Sequence, residues 1–147
     1  TTNPAKLLKN VNLFSKIKPL TIPISWDKTE SASSNWTKID EFSNIKSWYS
    51  AQRKLSPSFP RLTEVSLLPN LANITVVIGR YSAETDNGNI YLYSLITINN
   101  NISKYIRLNN NFWIDKNYLI KGVDNEEGRT VLTYKILSDG TIKNIGK

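Results

Sequence analysis

The sequence predicts a single, mainly β domain of the α+β class, an antiparallel meander forming a curled sheet or open barrel with an N-terminal helix packed on it. Three observations carry this. The chain has 147 residues with 39% hydrophobic side chains, which suits one domain with one sizeable core. Apolar residues recur at helical spacing up to residue 55, and beyond residue 62 the period changes to two. Short Asn- and Gly-marked turns separate the later runs, and short links between successive strands imply antiparallel pairing.

Residues 1–18 read as a basic N-terminal arm or tether, and residues 19–147 as the globular domain. In the arm, Leu7, Leu8, Val11 and Phe14 recur among Lys6, Lys9 and Lys16 after Asn3-Pro4, which describes a short basic helix ended by Pro19. Leu13 and Ile17 lie off its main stripe. Leu20, Ile22, Ile24 and Trp26 then alternate with polar residues as in a half-buried strand. Pro23 removes a ladder donor and confines that strand to an edge.

Residues 27–35 are a polar loop. Thr37-Lys38-Ile39-Asp40 has the form of a capping box with Asp in place of Glu, ahead of a helix over about 38–55. Ile39, Phe42, Ile45, Trp48, Tyr49 and Leu55 make its apolar stripe, and Ser56-Pro57 ends it. A stripe at this spacing is read as core contact. Residues 56–60, with two prolines, are a stiff connector.

Residues 62–73 have no clear period. Strands follow at 74–81, 90–98, 104–108, 112–123, 130–137 and 141–145, within an overall strand region of about 74–145, all rich in Ile, Val, Tyr and Thr. Asn87-Gly88 and Asp139-Gly140 are two-residue hairpin signals of the type I′ kind. Ile90, Leu92, Ile96 and Ile98 fall on one face, and Tyr91, Tyr93, Leu95 and Thr97 on the other. Both faces are apolar, as they are in the strand before, so these two strands are expected to be central and covered on each side, one cover being the helix.

The chemistry is bounded by what is missing. There is no Cys and no His, which removes disulfides, the usual zinc and iron–sulfur sites, and Ser-His or Cys-His pairs. No catalytic residue, metal ligand or cofactor is assigned, and the chain is read as a non-enzyme. The turn acids Glu84, Asp86, Glu126 and Glu127 and the lone Asp115 form no acid/base pair. Asp86-Asn87-Gly88-Asn89 and residues 124–127 lack the spacing of an EF-hand. Three Ser-x-x-Lys matches have no companion elements, and Asn-x-Ser/Thr triplets at Asn35, Asn73 and Asn101 are expected in a chain so rich in these residues.

The net charge is +7, with ten Lys or Arg against four acids up to Arg61 and nine against eight thereafter. A strand surface near neutrality, without a stacking motif, argues against nucleic acid. The second partner reading is a basic inhibitor or immunity protein, steered to an acidic enzyme by Lys16, Lys18, Lys46, Arg53 and Lys54. No apolar run is long enough to span a bilayer. The absence of Met together with a start at Thr1 predicts that an upstream segment is removed.

One resemblance adds to this. Phe112-x-Ile114-x-x-x-Tyr118-x-Ile120 followed by Tyr134-x-Ile136-x-x-Asp139-Gly140-x-Ile142-x-x-Ile145 resembles the closing hairpins of small secreted or lipoprotein β domains of Bacteroidetes. The resemblance covers only these hairpins and transfers no site residue. It implies an extracytoplasmic protein of the periplasm or cell surface, held to a membrane only through a lipidated Cys just before Thr1. The function expected is an exported binding or interaction module for a protein or glycan, with exposed aromatics as its surface. Tyr91, Tyr93 and Trp113 are the candidate ligand-binding residues.

Overall fold

The computed structural model describes residues 13–25, 35–108, 112–124 and 131–146. They form two five-stranded antiparallel sheets and one helix, so the fold is mainly β. In chain order the elements are β1 (Ile24–Ser25), β2 (Thr37–Lys38), a 3₁₀ turn (Ile39–Glu41), α1 (Ser43–Leu55), β3 (Glu64–Leu71), β4 (Ile74–Thr85) and β5 (Gly88–Asn99). β6 (Ile102–Leu108), β7 (Trp113–Ile114), β8 (Leu119–Asp124), β9 (Val131–Ile136) and β10 (Ile142–Gly146) complete the chain. The larger sheet runs β2-β3-β4-β5-β6 and the smaller β1-β7-β8-β9-β10. Within each sheet successive strands pair as in a meander, apart from β1, which joins β7 across the chain, and the chain passes from one sheet to the other between β6 and β7.

Two cores follow from the alternation of β4 and β5. Ile74, Val76, Ile78, Tyr93 and Leu95 face the smaller sheet and pack with Ile114, Tyr118, Ile120 and Ile136. Val77, Ile96 and Ile98 face the other way, against Ile45, Phe59 and Leu62. The two strands are thus central and covered on both sides, one cover being α1. Phe14 and Ile17 are buried in the same helix-side core, so the described part of the N-terminal arm lies on the domain. The helix expected over its earlier residues and the strand position of Trp26 fall outside the described residues.

Several local expectations are corrected. The capping box does not form, because Thr37 and Lys38 pair with Val65 and Glu64 and are held extended as β2. The α-helix starts later, with Phe42 at its N-cap and no side-chain cap. Leu55 leaves the stripe and is 82% exposed. The unassigned stretch after residue 62 is β3, whose irregular register at Leu68/Leu71 blurs the period of two. The stretch 112–123 is two strands, split where Asp115 Oδ1 accepts from the Asn117 and Leu119 N–H groups, both at 2.9 Å.

The turns also differ. In the β4–β5 hairpin neither Asp86 nor Asn87 has positive φ, and Gly88 follows at +109°. In the β9–β10 hairpin only Gly140 is positive, at +92°, and the Gly140 N–H donates to the Leu137 carbonyl at 2.9 Å. Both are turns followed by a left-handed glycine, which match strand twist as well as a type I′ pair does. Two consecutive positive φ values occur instead at Asn100 (49°) and Asn101 (73°), between β5 and β6.

Side chains tie the sheets together. The Tyr118 hydroxyl donates to the Pro69 carbonyl in β3, and burial pushes the phenol well above its ordinary pKa. Thr97 Oγ1 donates to the Gly140 carbonyl at 2.5 Å and Asn99 Nδ2 to the Asp139 carbonyl at 2.9 Å, which docks the last hairpin on β5.

Candidate functional site: a cationic groove on the uncovered end of the larger sheet

The helix is too short for the sheet face it covers. Thirteen residues rise about 20 Å, whereas the twelve-residue strands β4 and β5 extend about 40 Å. The helix, the arm and the connector together leave one end of this face partly exposed. On it Tyr81 lies opposite Leu92, and Leu92 and Ile90 are 48% and 42% exposed.

A groove of about 380 Å³ lies on this end, within the range of small-ligand sites. Its lining includes Pro60, Arg61, Tyr81, Leu92, Ser94 and Arg107. Register explains the assembly: Arg107 on β6 lies opposite Ser94 on β5, and Ser94 opposite Gly79 on β4. Arg61 comes from the connector leading into β3.

The connector is held in several ways. Phe59 is 1% exposed and meets the rings of Trp48, Tyr49 and Tyr105. Arg53 Nη1 donates to the Phe59 carbonyl, and Arg107 Nη2 to the Ser58 carbonyl at 3.4 Å. Tyr105 bonds the Ser56 and Ser58 hydroxyls, which holds its phenol below the ordinary value. The Leu62 N–H donates to Tyr49 Oη at 3.0 Å, and the Leu62 side chain occupies the space over Gly79. A Cβ on Gly79 would stand 2.4 Å from Leu62 Cδ2, so only glycine admits this approach.

Arg61 is thereby set over Tyr81, its guanidinium carbon 5.4 Å from the ring centroid and Nη1 3.4 Å from the hydroxyl. The hydrogen bond to Tyr81, reinforced by Coulomb attraction, raises the Arg61 pKa further. None of the described residues lining the groove is acidic.

A second hollow of about 470 Å³ lies beside it and differs in charge. Lys38 and Lys46 line it with Asp40 and Glu64, and Lys46 Nζ is 3.8 Å from Asp40 Oδ1. Its cations are matched locally.

Between this hollow and the inter-sheet core sits Arg80, 4% exposed. Its guanidinium lies between two rings, 4.2 Å from the Trp36 centroid and 4.0 Å from that of Tyr91. Nε donates to Glu64 Oε1 at 3.0 Å, and Nη1 is buried with no hydrogen-bond partner among the described residues. The group closes the end of the core, with cation–π attraction and the ion pair offsetting its desolvation.

Of the three aromatics expected to form a binding surface, Tyr91 and Tyr93 are neighbours and Trp113 is apart. Tyr91 is half-buried and its ring covers Arg80. Tyr93 is 2% exposed, with ring contacts to Trp36, Tyr91 and Phe112, and it is also among the residues lining the groove, between Leu92 and Ser94. Trp113 is 40% exposed but belongs to the smaller sheet, opposite Ser25 and Lys121. Nothing in the sequence joins Arg61 to Arg107, because 46 positions separate them and only the β4-β5-β6 register brings them to one groove.

Among the described residues no three acids gather as a metal site. Comparison with known protein families, curated proteins and solved structures returns no match, so the functional reading rests on this chain's own residues.

Proposed function

We propose that the protein is a binding module that holds its ligand in the groove between Arg61 and Arg107. One observation carries the reading: at the partly exposed end of the sheet face, a groove with an apolar floor is lined by two arginines and by no acid among the described lining residues. Most of the work of such a site is apolar contact, with a few placed polar groups fixing orientation. Export to the periplasm or cell surface is proposed alongside it on the C-terminal resemblance alone, and fractionation of the source cells tests it.

The inhibitor reading draws less support. Of its five cations, Lys16 lies over the Phe42 ring at 5.9 Å, Lys46 faces Asp40, and Arg53 is tied to the Phe59 carbonyl. These three are engaged within the chain.

The test is an amide NMR titration with two flat aromatic probes, 2-naphthoate and its uncharged amide. The proposal expects saturable shifts centred on Arg61, Leu92, Ser94 and Arg107 with at least one probe. Shifts centred on Trp113, or none with either probe, would overturn it.

A further inference from the structure

We infer that the groove takes a small free organic anion, a flat apolar body bearing one carboxylate or similar head, with Arg61 and Arg107 as its anion-recognising pair. The inference rests on the binding reading above and adds the ligand's chemistry.

Charge separates the two hollows. The second balances Lys38 and Lys46 with Asp40 and Glu64, so an anion entering it would meet carboxylates as well as cations. The first sets two exposed arginines against no described acid, so its complement is an anion. The arginines flank β5 from either side, one above Tyr81 on β4 and the other on β6. The backbones of β4 and β6 are about 10 Å apart, and two long side chains span that distance over Leu92 and Ser94. An anionic head in the groove gains charge-assisted N–H donors from guanidinium groups, which suit carboxylates and phosphates.

The floor defines the rest of the ligand. Leu92 and Ile90 are 48% and 42% exposed on one face of β5, beside Tyr81 whose ring carries Arg61, so the open floor is an apolar strip along β5. A flat ring system covers such a floor with little lost conformational entropy. A volume of about 380 Å³ suits a small molecule, which favours a free ligand over a protein segment.

Neither arginine is free to swing away without cost. Arg61 is held on Tyr81 and Arg107 on the Ser58 carbonyl, so the pair is partly oriented before ligand arrives.

Calorimetry on the full chain tests the inference. 2-Naphthoate is expected to bind roughly tenfold or more tightly than 2-naphthamide. Arg61→Gln and Arg107→Gln should each remove most of that preference with little change in melting temperature, because both residues are exposed. Lys54→Gln, an exposed cation outside the groove, should leave affinity within about twofold. Equal affinity for the two probes at the same shifted amides would overturn the anion assignment and leave the binding module standing. No groove shifts with either probe would overturn both. Binding to phosphatidylglycerol vesicles without binding to naphthoate would overturn the small-molecule assignment.

Discussion

Replacing Arg80 with Ala should be among the most damaging single substitutions in this chain. The side chains of Arg80 and Glu64 are 5% and 19% exposed, so Arg80→Ala strands a largely buried carboxylate. Breaking such a pair from one side costs about 3–5 kcal/mol, and the residual exposure of Glu64 points to the lower end. Losing contact with Trp36 and Tyr91 adds about 0.5–1 kcal/mol for each ring. Removing Nη1, which has no partner among the described residues, returns about 1 kcal/mol of desolvation. The net loss is about 3–4 kcal/mol, and at this chain length it should lower the melting temperature by roughly 6–16 °C. Calorimetric unfolding measures it. The double variant Arg80→Met/Glu64→Leu, which replaces the pair by apolar groups and keeps sulfur against the rings, should recover to within about 1 kcal/mol of the parent. A shift below about 2 °C for Arg80→Ala, or a double variant as unstable as the single one, would refute the reasoning.

Gly79→Ala should push Leu62 off its seat, cost about 1–3 kcal/mol and weaken binding of 2-naphthoate; a crystal structure with Leu62 and Arg61 unmoved would count against it. Asp115→Ala should lower stability at neutral pH. Hydrogen bonds from the Leu119 and then the Asn117 N–H depress the Asp115 pKa, so its contribution is present above the unfolded value of about 3.9 and is lost as pH falls through the folded one. The melting temperatures of Asp115→Ala and its parent should therefore converge as pH falls below the unfolded value. Trp113→Ala should cost about 1–2 kcal/mol and leave naphthoate affinity unchanged, since the ring is 40% exposed on the other sheet; a selective loss of binding would place it in the site. Ala72 holds φ +53° in the β3–β4 turn, so Ala72→Gly should raise the melting temperature slightly by relieving left-handed strain.

How much of this was legible can be judged element by element. The alternation in residues 74–81 and 90–98 correctly marked β4 and β5 as central, because a strand covered on both faces must be apolar at odd and even positions alike. The helix was legible from Ile45, Trp48 and Tyr49, and Pro23 announced the edge position of β1. β3 was not legible, since its register irregularity and Pro69 interrupt the period. Nor was the N-terminal limit of α1: Thr37 and Lys38 satisfy a local helix pattern, but pairing with β3 offers them ladder hydrogen bonds instead.

The sequence by itself determined the fold class, the antiparallel hairpins, the faces of the central strands and the absence of imidazole and thiol chemistry. Each of these follows from composition or from periods that span a few neighbours. The division into two sheets between β6 and β7 did not show in it. Only the tertiary structure decided which aromatics are core, since Tyr91 and Tyr93 have the same strand pattern whether a second sheet covers them or not. It also decided where the cations converge. Arg61 and Arg107 line one groove because strand register and the seating of Leu62 on Gly79 bring a connector and an edge strand to one place. Leu92 and Ile90 stay partly exposed beside them.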